Sequence, residues 1–237
     1  MSIPDYLETL SRFGLEKLKT GADLCLDASG NIAITRDGNF QMGDATVNAM
    51  FRLVERWRAT HETAVVLFAE IRKAENAIAT MGKAAQEQLA LGQMRQYLET
   101  QEQIGAVREV STTLAGTIFV TLNNTLQRFR KDIALPPQAW ESRGPLIHGR
   151  SIGAIASAAS ANFRHYDEWA STPEPTRQQL ESMEVICGVM RWDVTDQNGY
   201  RVLRTNVCSQ LLTAVCSWSL ETLDDRTFEF CKAIVSF

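Results

Sequence analysis

The feature that most constrains the fold is a proline-free stretch that runs over residues 5–135. Because proline removes a backbone hydrogen bond and disrupts a helix interior, its absence over such a length permits long uninterrupted helices. Apolar residues recur at helical spacing over 47–71 and again over 104–129. Long helices that bury these stripes by packing antiparallel are the natural outcome. We therefore predict a mainly α protein, an antiparallel helical bundle formed by a single domain over residues 1–237.

Two shorter elements are predicted near the N-terminus. Pro4, a helically spaced apolar pattern and Gly21 together predict a first helix over 4–19. The apolar period then changes to two over 23–42, around Ser-Gly and Asp-Gly turns, which predicts a small β-hairpin insertion. So small a ribbon is stable only when it packs on helices.

Cap residues and glycines predict the remaining boundaries. Asp44 is a good N-cap for the first long helix and Thr176 for a later one, whereas Gly82 and Gly92 predict a break or kink. The polar, Ala- and Gln-rich residues 84–103 are expected to form a more exposed helix. Further helices are predicted over 151–170, 176–190, 206–220 and 225–235.

The composition is that of an ordinary globular protein. Hydrophobic residues make up 45% of the chain, and the formal net charge of -4 argues against a protein that wraps nucleic acid along its whole surface. The 5 cysteines show no CxxC spacing, so we expect free buried thiols, no metal site and no cofactor. Neither a signal peptide nor an apolar run of roughly 20 residues is present, which predicts a cytoplasmic protein without a membrane span.

The candidate site lies within residues 143–169, which hold two of the chain's 3 histidines. On a helix over 151–170, Asn162 lies within the apolar face and His165 on its flank. Buried polar groups must be hydrogen-bonded or line a wet pocket, and the pattern leaves both alternatives open. Arg164 and Glu168 point to the solvent side, where their spacing predicts a surface ion pair.

A loop with a second histidine precedes this helix. Arg143 and His148 lie there, with Arg150 close behind and open backbone amides at the helix start. Such amides can bind an anion, an imidazole can carry a proton near neutral pH, and a guanidinium can neutralise a phosphate. The loop could therefore cleave RNA without a metal; the alternative is that His148 caps a turn.

These residues resemble a known family. Arg143-Gly-Pro-Leu-Ile-His148, with Asn162 and His165 following on a helix, resembles the HEPN ribonucleases and toxins of bacterial defence, whose signature is Arg, four to six residues, then His. Arg56-Trp-Arg-Ala-Thr-His61 fits the same spacing. The polar residue that usually follows the arginine is replaced by Gly144.

The resemblance implies a homodimer in which two copies of the motif face each other and cleave RNA without a metal. It implies that His148 or His165 polarises the attacking 2′-hydroxyl or stabilises the phosphate, while Arg143 and Arg164 hold the scissile phosphate. The main alternative is a non-catalytic helical interaction or regulatory subunit that binds another protein. That alternative is favoured by the absence from the sequence of a phosphate-binding glycine loop, an HExxH motif and a GxSxG motif.

Overall fold

The computed structural model of the chain describes residues 3–21, 23–35, 38–135, 140–141, 143–172, 174–193 and 203–236. Within this part of the chain the structure is mainly helical, as the sequence predicts. The elements in chain order are α1 (Tyr6–Phe13), α2 (Leu18–Gly21), α3 (Ala45–Ala90), α4 (Met94–Asp132), β1 (Leu146–Ile147), β2 (Arg150–Ser151), α5 (Ile152–Ser171), α6 (Arg177–Met190), α7 (Cys208–Cys216) and α8 (Leu220–Val235).

Helices α3 and α4 form a long helical hairpin that dominates the fold. They contact each other more extensively than any other pair of elements. With 46 and 39 residues, they are about 69 and 58 Å long. Asp44 caps α3 as predicted, since its Oδ1 accepts a hydrogen bond of 2.9 Å from the backbone N–H of Val47. Helices α5 and α7 pack on α4, α6 packs on α5, and α8 contacts α3. That these helices form one antiparallel bundle stays a prediction.

Several helix boundaries differ from the sequence prediction. The last two helices, predicted over 206–220 and 225–235, are observed as α7 (Cys208–Cys216) and α8 (Leu220–Val235). The first helix ends at Phe13 because Gly14, at φ 63°, terminates it in the left-handed conformation, and the chain re-enters a helix only at Leu18. Helix α3 does not break at Gly82 but continues to Ala90. A glycine within a helix costs only about 1 kcal/mol, which a helix of 46 residues can absorb.

The β-hairpin prediction over 23–42 is wrong in its location. The two-stranded sheet of the described chain lies mid-chain, where β1 and β2 pair antiparallel around His148 and Gly149. The described residues of 24–35 and 38–42 hold only isolated antiparallel bridges, which are Leu24–Met42, Leu26–Ile32 and Ile34–Phe40.

The reason is the way in which the three short segments of residues 24–42 pair. Cys25, Ala33 and Gln41 close a ring of three backbone hydrogen bonds, so each segment pairs with both others and no pair extends into a ladder. Five of the six apolar side chains in these bridges are exposed, by 43% (Ile32) to 65% (Leu26). A ribbon with so little apolar burial remains short.

Close helix contacts position α5 against α4. A Cβ atom placed on Gly116 of α4 would lie 2.0 Å from the ring of Phe163 on α5, so only glycine permits this approach.

A polar network joins three helices near the same level. Ser209 Oγ of α7 donates to Glu75 Oε1 of α3 at 2.7 Å, and it lies 3.1 Å from Ser111 Oγ of α4. These contacts fix the body of the protein around the middle of the long hairpin.

Among the described residues, none of the helices combines the length and the apolar character that crossing a bilayer requires. None of the 5 cysteines, all of which lie in the described part of the chain, forms a disulfide, as predicted; four are buried and Cys25 is half-buried.

Candidate functional site

His148 lies at the tip of the β1–β2 turn and is exposed. Its φ of 48° is left-handed, and Gly149 follows at φ 80°, which is the backbone of a tight hairpin turn. The His148 Nδ1 atom lies 2.6 Å from the carbonyl oxygen of Val189 at the end of α6. Because a carbonyl only accepts, Nδ1 carries the hydrogen, and in the neutral ring Nε2 is the nitrogen with the free lone pair.

Arg143 is exposed and lies just before this turn. Gly144 follows it at φ 80°, and a Cβ atom at that position would come within 2.9 Å of the Phe230 ring. The polar residue that the HEPN pattern usually has there would be strained in this backbone. The close packing of the loop on α8 therefore favours glycine at position 144.

Asn162 is fully buried, and its side chain is satisfied by backbone groups. Its Nδ2 donates to the Thr205 carbonyl at 3.1 Å, and its Oδ1 accepts from the Val207 N–H at 3.0 Å. Of the two alternatives that the sequence left open, the structure has the backbone-bonded one. Asn162 anchors the segment that leads into α7.

Arg164 and Glu168 do not form the ion pair predicted from their spacing. The Arg164 Nε atom donates to the Ser160 carbonyl one turn earlier at 3.0 Å. Glu168 instead lies beside His165, with its Oε2 3.2 Å from His165 Nδ1, although the two are not aligned for a hydrogen bond. The spacing rule failed because an arginine on a helix can also reach a backbone carbonyl of its own helix.

His148 and His165 do not meet within one protomer. His148 precedes the first turn of α5, whereas His165 lies 13 residues after the helix start, or about 20 Å along its axis. Arg143 and His148 lie at one end of α5, and Asn162, Arg164 and His165 lie towards the other. The residues of the candidate site could be combined only across two protomers.

The third histidine, His61, lies in a more enclosed setting that the sequence interpretation missed. A cavity of about 170 Å³ opens between α3, α4 and α8, and His61, Trp57 and Asp224 line one wall. The His61 Nδ1 atom is 3.7 Å from Asp224 Oδ2, and the Arg12 guanidinium lies 3.7 Å from the same oxygen. The Trp57 ring lies 4.3 Å from the imidazole, centroid to centroid.

Burial controls the protonation of this polar wall. Burial raises the pKa of Asp224 to about 7, while the nearby Trp57 indole and the Arg12 charge oppose the rise. Burial lowers the pKa of His61, and the positive charge of Arg12 lowers it further. Both effects favour the uncharged forms, as expected for groups that have lost water without gaining a strong partner.

Two sequence signals could have identified this wall. His61 is the last residue of Arg56-Trp-Arg-Ala-Thr-His61, the second segment in which an arginine is followed by a histidine at the HEPN-type spacing. It follows Trp57 by four residues, which places both side chains on one helix face. Asp224 interrupts the apolar stripe of the last helix, between Leu223 and Phe228. Arg56, the other end of that spacing, turns away and pairs with Asp132 of α4 at 2.7 Å.

The far end of the α3–α4 hairpin exposes a group of large apolar side chains that we call the hairpin tip. Its members are Leu89 (49% exposed), Leu91 (71%), Met94 (53%) and Leu98 (55%).

No known protein family, curated protein or solved structure matches the chain.

Proposed function

We propose that this chain is a non-catalytic helical interaction protein that self-associates through the hairpin tip. The observation that carries the proposal is the exposure of four large apolar side chains around a single tight turn. Scattered apolar residues are normal on a protein surface, whereas several large ones gathered around one turn are typical of an interaction site. Met94 and Leu98 are one helical turn apart on α4, a spacing suited to contact with another helix.

The outer part of the hairpin has too little core to complete a bundle by itself. Within residues 76–110, all of which are described, the buried side chains are only Ala85, Thr100 and Ile104. Two antiparallel helices bury one narrow seam, whereas four bury a continuous core. A second hairpin packed on the first would provide that core.

A second copy of this chain suits the surface as the partner. Residues 72–110 contain equal numbers of acidic and basic residues, so two copies do not repel each other. In a two-fold dimer the same patch lies on both sides of the interface, which requires a surface compatible with itself. A neutral helical tip with exposed leucines meets that requirement.

Analytical ultracentrifugation over a concentration series tests this proposal. The double variant Leu91→Gln with Leu98→Gln is expected to weaken dimerisation by about a hundredfold or more, because each buried leucine contributes roughly 1.5–3 kcal/mol. Val66→Gln is the matched control: Val66 is 56% exposed on α3. It lies about 37 Å from Leu91 along the helix direction. A wild-type chain that stays monomeric, or a control that weakens the dimer equally, refutes self-association through the tip.

RNA cleavage of the HEPN type, without a metal, is the second candidate function. It is favoured by the geometry of His148, because its Nδ1 is committed to the Val189 carbonyl and its Nε2 is left as the free base on an exposed turn. In this mechanism Nε2 polarises the attacking 2′-hydroxyl and Arg143 holds the scissile phosphate. Asn162 would act by fixing the helix, and His165 and Arg164 would take part only from the second protomer.

Degradation of RNA in the presence of a chelator tests this candidate. His148→Asn is the most informative variant, because asparagine tolerates left-handed backbone and its amide can still donate to Val189. Loss of cleavage with an unchanged melting temperature supports the candidate. His165→Asn is the companion variant, and its loss of activity would indicate a site shared between protomers. An intact wild-type chain that leaves RNA undegraded rules out this function.

A further inference from the structure

The ring of three short segments within residues 24–42 directs its apolar side chains outward. These side chains form pairs that repeat every eight residues, namely Leu24 with Leu26, Ile32 with Ile34, and Phe40 with Met42. The two members of a pair point to the same face, and the residue between them points to the other. Five of the six are 43% to 65% exposed, whereas each residue between them is half-buried. We call these six side chains the ring face, and so many large apolar groups on one small unit are typical of an interaction surface.

The backbone of the ring is already satisfied at its centre. The Cys25 N–H donates to the Gln41 carbonyl at 3.0 Å, the Ala33 N–H to the Cys25 carbonyl at 2.8 Å, and the Gln41 N–H to the Ala33 carbonyl at 2.9 Å. Each of these three residues therefore uses both its donor and its acceptor within the ring. A partner cannot add a strand at these positions and must contact the side chains instead.

Part of the ring face lines an open groove of about 850 Å³ that also contains two carboxylates. Leu26, Ile32 and Ile34 supply its apolar side chains, and Asp27 and Asp44 supply the charges. Both aspartates are exposed, and neither forms an ion pair with a described residue. None of the described lysines or arginines lines the groove. The groove therefore combines apolar contact with unpaired negative charge.

The charge of this region limits what can cover the ring face. Residues 23–44 contain four aspartates, one arginine and no lysine, which gives a formal charge of -3 out of -4 for the whole chain. A second copy of the ring would present the same negative charge and be repelled, and so would nucleic acid and an anionic membrane. The apolar face also extends beyond the groove to Leu24 and Phe40, which is more than a small molecule covers. A protein segment with apolar and basic side chains is complementary to it.

We propose that the ring face docks a basic amphipathic segment of another protein. Its apolar side chains cover Leu26, Ile32 and Ile34, and its lysines or arginines lie against Asp27 and Asp44. The groove begins beside the N-terminus of α3, and the hairpin tip lies about 70 Å away along that helix, measured from Asp44 to Leu91. Docking at the ring face is therefore independent of self-association through the tip.

Fluorescence anisotropy of the full-length chain with two labelled amphipathic helical peptides tests the proposal. One peptide has leucine on one face and lysine on the other, and its matched counterpart has glutamate in place of lysine. At low salt the lysine peptide is expected to bind about tenfold or more tightly than the glutamate peptide. The tip variant Leu91→Gln with Leu98→Gln should bind it as the wild type does, so failure of self-association leaves this result unaffected.

The apolar part of the ring face is tested by Leu26→Gln with Ile34→Gln, which alters two side chains that are 65% and 62% exposed. We expect the lysine peptide to bind about tenfold to a hundredfold more weakly, because about half of each side chain is available for burial. The melting temperature should not fall, since neither side chain belongs to the core. Val66→Gln, 56% exposed on α3, is the matched control and should leave binding unchanged.

The charges are tested by Asp27→Asn with Asp44→Asn. Asparagine keeps the acceptor oxygen that the turn after Asp27 and the cap of α3 require. This variant should reduce the preference for the lysine peptide by about tenfold. Glu87→Gln with Glu102→Gln removes the same amount of charge from exposed positions on the outer hairpin and should not.

Four results would each overturn the proposal. Equal affinity for the two peptides, or equal effects of the aspartate and glutamate variants, would show that the ring carboxylates select nothing. Loss of self-association in Leu26→Gln with Ile34→Gln, measured by ultracentrifugation, would assign the ring face to a second copy. Loss of binding to phosphatidylserine vesicles in the same variant would assign it to a membrane surface.

Discussion

Asp224→Asn should stabilise the protein at alkaline pH, although it removes a carboxylate that lies beside an arginine. Burial raises the pKa of Asp224 from 3.8 to about 7, with the attraction of Arg12 already opposing that rise. Ionising this carboxyl in the folded chain is therefore costlier than in the unfolded chain. A rise of about three pKa units corresponds to as much as about 4 kcal/mol.

The direction of the pH dependence follows from proton binding. Because the folded-state pKa of Asp224 is the higher one, the folded chain binds more protons between about pH 4 and pH 7. The contribution of Asp224 is therefore full at low pH and is lost as pH rises through 7. Asparagine cannot ionise, so the variant should match the wild type near pH 4 and exceed it at pH 8.

Other charged groups lie around Asp224, and one of them also changes the stability of the protein with pH. Arg12 faces it from α1, His61 from α3, and Glu221 and Asp225 lie on its own helix. His61 acts in the opposite direction, because its lowered pKa makes stability fall as pH drops below its ordinary value of 6.5. Comparing wild type and variant at the same pH leaves most of this histidine contribution unchanged in both.

Urea denaturation at pH 5 and pH 8 measures the effect. We expect the free energy of unfolding of Asp224→Asn to exceed that of the wild type by a few kcal/mol at pH 8 and by less at pH 5. Asp225→Asn, on the exposed neighbouring residue, should show a much smaller gain, because it removes only a repulsion that adds to the burial effect on the pKa of Asp224. A variant less stable than the wild type at pH 8 would show that the ion pair with Arg12 outweighs the desolvation of the carboxyl, and the reasoning would be refuted.

Three further predictions concern packing, a buried amide and the thiols. Gly116→Ala should destabilise the protein by about 1–3 kcal/mol, because the added methyl group overlaps Phe163. Gly105→Ala, at a position on the same helix with open space around it, should stabilise the protein by about 0.5–1 kcal/mol. Thermal denaturation measures both effects. Asn162→Ala should cost about 2–3 kcal/mol, measured by urea denaturation, since two backbone groups near α7 lose their partner. A thiol reagent should modify Cys25 first in the native chain, as counted by mass spectrometry, because the other four cysteines are buried.

Each of these predictions has a clear contrary result. Equal effects of the two glycine variants would mean that the α4–α5 contact is looser than the structure indicates. An Asn162→Ala variant as stable as the wild type would mean that the amide has no anchoring role. Early modification of a buried cysteine would mean that its helix opens readily in the native state.

Local rules were sufficient for much of the helical architecture. Asp44 and Thr176 cap helices as predicted, and the Thr176 cap has the reciprocal bond to Gln179 that defines a capping box. Helix α6 ends at Met190 as expected, and α5 differs from its predicted bounds by one residue at each end. Caps and apolar periodicity involve contacts within a few residues, so they can be read from a short stretch of chain.

The prediction failed where the outcome depended on what packs against a segment. The alternating pattern over 24–42 did not become a sheet, because most of its apolar side chains stay exposed and its three segments pair in a ring. Spacing predicted an ion pair between Arg164 and Glu168, but the Arg164 guanidinium instead donates a hydrogen bond to a backbone carbonyl of its own helix. Such competition between partners is not visible in spacing.

The candidate site shows most clearly the difference between what local sequence patterns predict and what tertiary packing decides. Periodicity correctly placed Asn162 on a buried face, yet only the fold supplied its partners on the segment before α7. His61 and Asp224 are far apart in the sequence and lie 3.7 Å apart in space because α3 and α8 both contribute to one cavity. The sequence determined which segments form helices, since that depends on neighbours a few residues away. Tertiary packing decided which polar groups meet and which lose water, because burial depends on every element around them.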